Sequence, residues 1–94
     1  QVNQDNLALE AVPAPAGGAS FRFFTPWIAT LNLRVFDARG RQVRSLVGEP
    51  RLPGFYETGW DGRDERGRAL KPGLYYAELS APGFVLTKEV VLDR

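Results

Sequence analysis

The chain has 94 residues, of which 44% are hydrophobic and 12% aromatic, and its formal net charge is +1. A chain of this length forms one domain with one small core. It contains no His and no Cys, which excludes the commonest metal ligands, the near-neutral proton carrier, the thiol nucleophile and any disulfide. No apolar run is long enough to span a bilayer.

The charged side chains alternate in sign along the chain, so the sequence predicts no basic patch and no nucleic-acid partner. The chain starts at Gln1 and contains no Met. We therefore expect a processed chain or an excised domain, most simply one from which a secretion signal has been removed. The corresponding location would be outside the cell or at its surface.

The N-terminal residues 1–10 are predicted to be a polar tail or an edge strand, with Leu7 and Leu9 on one side. Residues 11–94 are predicted to form a single domain. Its first segment, Val12 to Gly18, contains two prolines that cannot donate to a central ladder, so it should lie at a sheet edge and end in a Gly-Gly turn.

The next two strands are the clearest in the chain. Ser20–Thr25 alternates and is stopped by Pro26, and Thr30–Asp37 alternates apolar with polar residues. Asp37–Gly40 fits a type I turn closed by glycine, which leads into a further strand at Arg41–Val47.

The second half continues the pattern of strands and turns. Pro50 and Pro53-Gly54 predict a loop. The remaining strands are predicted at Phe55–Trp60, Leu74–Ser80 and Phe84–Asp93. The turns that precede or connect them are predicted at Asp61–Gly67, Pro72–Gly73 and Pro82–Gly83. No segment has a helical period, so the sequence predicts an all-β fold, an Ig-like or fibronectin-III-like antiparallel sandwich of about seven strands.

Four motifs follow one another in a fixed order. They are Asp37-x-x-Gly40-Arg41-x-Val43, Gly59-Trp60-Asp61-Gly62-Arg63-Asp64-x-x-Gly67, Gly73-x-Tyr75-Tyr76-x-x-Leu79 and Thr87-Lys88-x-Val90-Val91-Leu92. This order resembles the Ig-like domain at the C-terminus of the flagellar hook-capping protein. It is equally similar to the sorting domains that end many cargo proteins of the type IX secretion system. The similarity spans Ala11 to Arg94, with Ala14 where sorting domains carry the Asn of a Pro-Asn-Pro motif.

The resemblance implies a bacterial, exported or surface-located module that binds other proteins and is not an enzyme. It also implies structural roles, in turns or in the core, for the matching residues Asp37, Gly40, Trp60, Asp61, Gly62, Gly67, Gly73 and Tyr75. No cofactor is expected.

Two groups of acidic residues could carry chemistry. Asp61, Asp64 and Glu65 lack the spacing of a calcium loop, and we favour a turn that Asp61 caps while Arg63 and Arg66 pair with the acids. Glu57 and Glu78 lie on predicted strands and could be near neighbours, as a glycosidase would need, but solvent-facing strand charges are the favoured interpretation. Without His, no serine can act in a catalytic triad.

The aromatic residues divide into a core set and a surface set. Phe21, Phe23, Trp60 and Tyr75 alternate with charge and are predicted to pack inside. Six of the other rings could form one exposed patch that binds a protein or stacks on a sugar; they are Phe24, Trp27, Phe36, Phe55, Tyr56 and Tyr76.

Three functions remain open at this point. The first is a self-assembling surface or filament subunit, in which the strand from Asn6 to Val12 completes the sheet of another copy. The second is a sorting or docking domain of a larger secreted protein, with its specificity in loops such as Val47–Gly54. The third is a carbohydrate-binding module. The candidate partner-binding residues are Leu7, Leu9, Val12, Trp27, Tyr56 and Tyr76.

Overall fold

The protein is described by a computed structural model over residues 6–14 and 17–93. Its seven strands are β1 (Ala8–Pro13), β2 (Ala19–Thr25), β3 (Ala29–Phe36), β4 (Gln42–Arg51), β5 (Gly54–Trp60), β6 (Gly73–Ala81) and β7 (Phe84–Leu92). All described strand pairs are antiparallel. The predicted all-β sandwich is confirmed.

The strands form two sheets. One has three strands in the order β1-β2-β5, and the other has four in the order β4-β3-β6-β7. Because β4 pairs with β3 rather than with β5, the fourth strand belongs to the larger sheet, unlike the constant-type Ig arrangement, which places it beside the fifth. The result is the fibronectin-III-like variant of the predicted fold.

The core lies between the sheets and follows the alternation of each strand. In the larger sheet, Leu33 pairs with Leu79 and Val35 with Ala77, and all four side chains are fully buried. Phe21 and Phe23 of β2 face them from the smaller sheet and are also buried. The prediction that Phe21, Phe23, Trp60 and Tyr75 pack inside is confirmed, because each is at most 7% exposed.

The N-terminal strand completes a sheet of its own chain. β1 pairs with β2 over its whole length, and it lies beside β7 at the edge of the other sheet. Leu7 and Leu9 are buried in the common core. Residues 1–5, which belong to the predicted tail, lie outside the described residues.

The prediction of a loop at Pro50 is wrong. β4 runs through Pro50 to Arg51, and Pro50 pairs with Thr30 of β3. β4 is an edge strand, where a residue without an N–H is tolerated because one side of the strand has no neighbour to receive it. The connection between β4 and β5 is therefore only Leu52 and Pro53.

Candidate functional site at the paired turns

A five-residue pattern, Asp-x-Arg-Gly-Arg, occurs twice in the chain. It spans residues 37–41 between β3 and β4 and residues 64–68 between β5 and β6. We refer to these segments as the first turn and the second turn.

The first turn is held by one aspartate. The Gly40 N–H donates to the Asp37 carbonyl oxygen at 2.9 Å, which closes the turn. Oδ1 of Asp37 accepts the backbone N–H groups of Arg39 and Arg41 at 2.9 and 3.0 Å. Oδ2 accepts a hydrogen bond from Nε of Arg41, with a distance of 3.2 Å between the two atoms. This geometry confirms the turn predicted at Asp37–Gly40.

The second turn repeats that geometry bond for bond. The Gly67 N–H donates to the Asp64 carbonyl oxygen at 3.0 Å. Oδ1 of Asp64 accepts the N–H groups of Arg66 and Arg68 at 2.9 and 3.0 Å, and Oδ2 accepts Nε of Arg68 at 3.0 Å. In both turns the aspartate side chain thus accepts the N–H of the arginine that follows the glycine.

These bonds favour the ionised aspartates. The backbone N–H of Arg41 lowers the pKa of Asp37; partial burial opposes the shift, and the Arg39 N–H and the Arg41 guanidinium reinforce it. The pKa of Asp64 is lowered in the same way by the N–H groups of Arg68 and Arg66 and by the Arg68 guanidinium, again against partial burial. Each turn therefore contains a charged carboxylate with its hydrogen bonds satisfied internally.

The fold places the two turns next to each other. Glu65 of the second turn lies against β4, the strand that follows the first turn. Its N–H donates to the Val43 carbonyl oxygen at 3.1 Å, and its carboxylate accepts the Ser45 N–H. These contacts cover part of the free edge of β4, which would otherwise be available for pairing with another chain.

An open groove lies between the turns, and we call it the paired-turn groove. Its charged lining comprises five basic side chains, Arg39, Arg41, Arg66, Arg68 and Lys71, and three acidic ones, Asp37, Asp64 and Glu65. The groove therefore has a local charge of +2, which exceeds that of the whole chain. Basic and acidic charges that alternate along the chain are thus gathered by two turns at one end of the sandwich, with a small excess of positive charge.

Tyr75 lies beneath this groove. It is 7% exposed, its hydroxyl donates to the Lys71 carbonyl oxygen at 2.7 Å, and its ring meets the edge of Trp60 with centroids 5.6 Å apart. Burial raises the pKa of Tyr75, and the negative charge of Asp37 adds to the shift. The Trp60 indole N–H donates to the Arg63 carbonyl oxygen at 3.0 Å. Trp60 and Tyr75 thus pack against each other beneath the groove.

Asp61 caps its own turn, as the sequence predicts, by accepting the Arg63 N–H at 3.0 Å. Desolvation, the largest influence, acts to raise its pKa, but the Arg63 N–H and the Arg44 guanidinium outweigh it and lower the pKa. The predicted pairing of these acids with Arg63 and Arg66 is wrong. Arg44 binds Asp61 at 2.9 Å and Arg68 binds Asp64, because strand β4 and the turn geometry bring those guanidinium groups closer.

Glycines occupy the remaining structural positions. Gly40 and Gly67 have φ of +86° and +82° at the ends of the two turns, a conformation that favours glycine. Gly62 is buried beside Leu92, and Gly73 begins β6.

The residues predicted to bind a partner do not form one site. Leu7 and Leu9 are in the core, whereas Val12 is 43% exposed on β1. Trp27 is half-buried between β2 and β3 and stacks on Phe84, with centroids 4.7 Å apart. Tyr56 packs on Phe23 on the inner side of the smaller sheet.

The predicted aromatic patch is therefore wrong as a single surface. Tyr76 neighbours Phe36 in the larger sheet, whereas Phe24 and Phe55 contact each other in the smaller one, with centroids 4.6 Å apart. Alternation along strands in two different sheets sends these rings to different sides of the sandwich. They do not form the row of rings that a sugar platform requires.

The two glutamates that could have formed an acid pair are also separated. Glu57 lies on β5 of the smaller sheet, 3.7 Å from Arg22, and Glu78 lies on β6 of the larger sheet. Within residues 6–14 and 17–93, no group of three or more acidic side chains is placed to hold a metal ion. The same residues include no helix that could cross a membrane.

A family model of the FlgD Ig-like domain matches residues 12–83. The chain belongs to this family. The match includes both turns and the motifs around Trp60 and Tyr75, so the resemblance seen in the sequence is confirmed.

Two solved structures are similar to this domain. PorZ of Porphyromonas gingivalis, described as an essential bacterial surface component of the type IX secretion system, is 17% identical with a TM-score of 0.63; the match covers 96% of this chain and 12% of PorZ. FlgD of P. aeruginosa is 20% identical with a TM-score of 0.48, and the match covers 97% of this chain and 64% of FlgD. No curated protein matches. The chain thus spans only part of each relative, and the likeness to PorZ shows the fold.

Proposed function

We propose that this domain is a docking module of a larger bacterial protein that is exported or held at the cell surface, and that its partner is another protein. Membership of the FlgD Ig-like family and the PorZ-like fold support a structural or interaction role. The proposed location rests on the description of PorZ as a surface component of a secretion system.

The observation that carries the proposal is the paired-turn groove. Its charged groups lie on an open surface, and its aspartates are used to hold the turns. A reacting site needs an acid or base free to exchange a proton with a substrate, whereas both oxygens of each aspartate accept hydrogen bonds from its own turn. A rigid sandwich that presents fixed charges is suited to recognition.

Self-assembly by exchange of β1 is a second form of this proposal, and one observation favours it. β1 is an edge strand joined to β2 by a short segment ending in Gly17 and Gly18, so a second copy could place its own β1 in the same position. In the single chain β1 already fills that position. Exchange therefore requires β1 to leave its own β2 and expose Leu7 and Leu9.

Photo-crosslinking in the producing bacterium tests both forms. A crosslinker replaces Ala38 in the first turn, and the control replaces Ser20 on the smaller sheet. Docking at the turns predicts a defined adduct with another protein from position 38 and none from position 20. Adducts whose mass is a multiple of the protein's own would support self-assembly, and the absence of adducts from position 38 would contradict docking at the turns.

A further inference from the structure

We propose that the paired-turn groove binds a segment of a partner protein that is rich in Asp and Glu. The inference rests on the proposed docking function and names the surface that docks and the chemistry of the partner. It follows from how the two turns orient their charges.

The turns direct carboxylates inward and guanidinium groups outward. The side chains of Asp37 and Asp64 are 18% and 16% exposed, whereas those of their partners Arg41 and Arg68 are 75% and 70% exposed. Each aspartate accepts a hydrogen bond from Nε of its arginine and none from a terminal Nη group, so the Nη groups are not used by these two pairs. The guanidinium groups of Arg41 and Arg68 thus line the groove while their aspartates already restrict them. Because of this restriction, binding of a partner costs little further side-chain entropy.

Arg39 and Arg66 occupy the third position of each turn. Their backbone N–H groups hold the turns, and within the described part of the chain their side chains make no hydrogen bond or ion pair. Both are exposed and line the same groove as Lys71. Guanidinium groups bind carboxylates through two parallel hydrogen bonds, so this set fits several carboxylates in succession.

The lining of the groove favours a peptide over a ligand that binds by ring stacking, such as a sugar or an unpaired nucleic-acid base. Binding of bases or sugar rings relies on exposed aromatic faces. The aromatic side chain in the lining is Tyr75, which is 7% exposed and covered by its contacts with Trp60 and Lys71. Charge complementarity without stacking matches an acidic polypeptide segment.

Fluorescence anisotropy with a labelled deca-glutamate peptide tests the inference, with a deca-lysine peptide as the negative probe. The variant Arg39→Gln/Arg66→Gln removes two charges and keeps the backbone bonds of both turns. Arg22→Gln/Lys88→Gln removes two exposed charges on other strands and is the matched control. We expect the affinity of the first variant to fall by about fivefold or more, and that of the control to stay within about twofold.

Thermal melting checks that both variants remain folded. Equal loss of affinity in both variants would overturn the inference, as would no binding of deca-glutamate to the unmodified protein at low salt. Tighter binding of an oligothymidylate or a heparin oligosaccharide of matched charge would also overturn it. A crosslinked partner that lacks any acidic segment would overturn this inference while leaving the docking function intact, so the two failures are distinguishable.

Discussion

At the scale of single residues, Gly18 shows how closely two backbones approach at the edge of the sandwich. Its φ is +77°, and a Cβ atom built there would lie 1.9 Å from the carbonyl oxygen of Trp60. A side chain is therefore opposed both by the backbone conformation and by a neighbour that cannot rotate away.

We predict that Gly18→Ala lowers the free energy of unfolding by about 2–4 kcal/mol, since backbone strain and a backbone clash act together. Gly83→Ala is the matched control, because Gly83 has φ of +82° with no atom within 4 Å of the added Cβ. That variant should lose only about 1–2 kcal/mol. Urea unfolding of both variants measures the difference, and equal losses would contradict the close approach.

The two turn aspartates predict a pH dependence of stability. Folding lowers their pKa values. Their contribution to stability is therefore present above the unfolded pKa, which is near the ordinary Asp value of 3.8, and is lost as pH falls through the lower folded values. The free energy of unfolding should therefore decrease below about pH 4.

The double variant Asp37→Asn/Asp64→Asn checks this assignment. It keeps an oxygen that can accept the backbone N–H groups but cannot ionise, so its stability should fall less steeply between pH 4 and pH 2. Chemical unfolding at a series of pH values gives the two slopes. Parallel curves for the variant and the unmodified protein would show that other carboxylates cause the acid sensitivity.

At the scale of elements, β1 determines whether the domain is self-contained. Leu9 is 6% exposed in the core, and it lies opposite Phe23 in β2. We predict that Leu9→Ala lowers the free energy of unfolding by about 2–4 kcal/mol, because removing buried methyl groups leaves a cavity.

Val12→Ala on the same strand provides the comparison for Leu9. Its side chain is 43% exposed, so the loss should stay below about 1 kcal/mol. Unfolding at several protein concentrations separates an intramolecular strand from an exchanged one. A stability that rises with concentration would contradict the self-contained arrangement.

Local pattern predicts most of these elements. Leu31, Leu33 and Val35 alternate with polar residues, which locates β3 and its inner face, and glycine marks both turns. Pro50 misleads because the penalty for proline in a sheet depends on whether its strand is at an edge. The sequence of β4 does not contain that information, since it follows from the order of strands in the sheet.

The candidate site could be predicted only in part for a related reason. The repeated Asp-x-Arg-Gly-Arg pattern is visible in the sequence, and its internal bonds follow from turn chemistry. The two Asp-x-Arg-Gly-Arg segments share a groove because Glu65 of the second turn lies against β4. This contact joins residues that are 20 or more positions apart in the sequence. Charge alternation along the chain therefore did not reveal this groove.

At the scale of the whole molecule, the charged groove is separate from the apolar core. The two sheets enclose an apolar core, and the basic groove lies between turns that carry little of that core. The positive charge is concentrated there: the chain carries +1 and the groove +2, so the rest of the molecule sums to −1. A partner that binds the groove would meet a surface formed before binding, which lowers the entropy cost of association.

Titration of the ¹⁵N-labelled protein with deca-glutamate, followed by two-dimensional NMR, tests whether an acidic peptide binds between the two turns. The predicted result is a set of amide shift changes confined to residues 37–43 and 64–71, with the contacts between Leu33 and Leu79 unchanged. Shift changes centred on Phe24 and Phe55 in the smaller sheet, or no change at any peptide concentration, would contradict it.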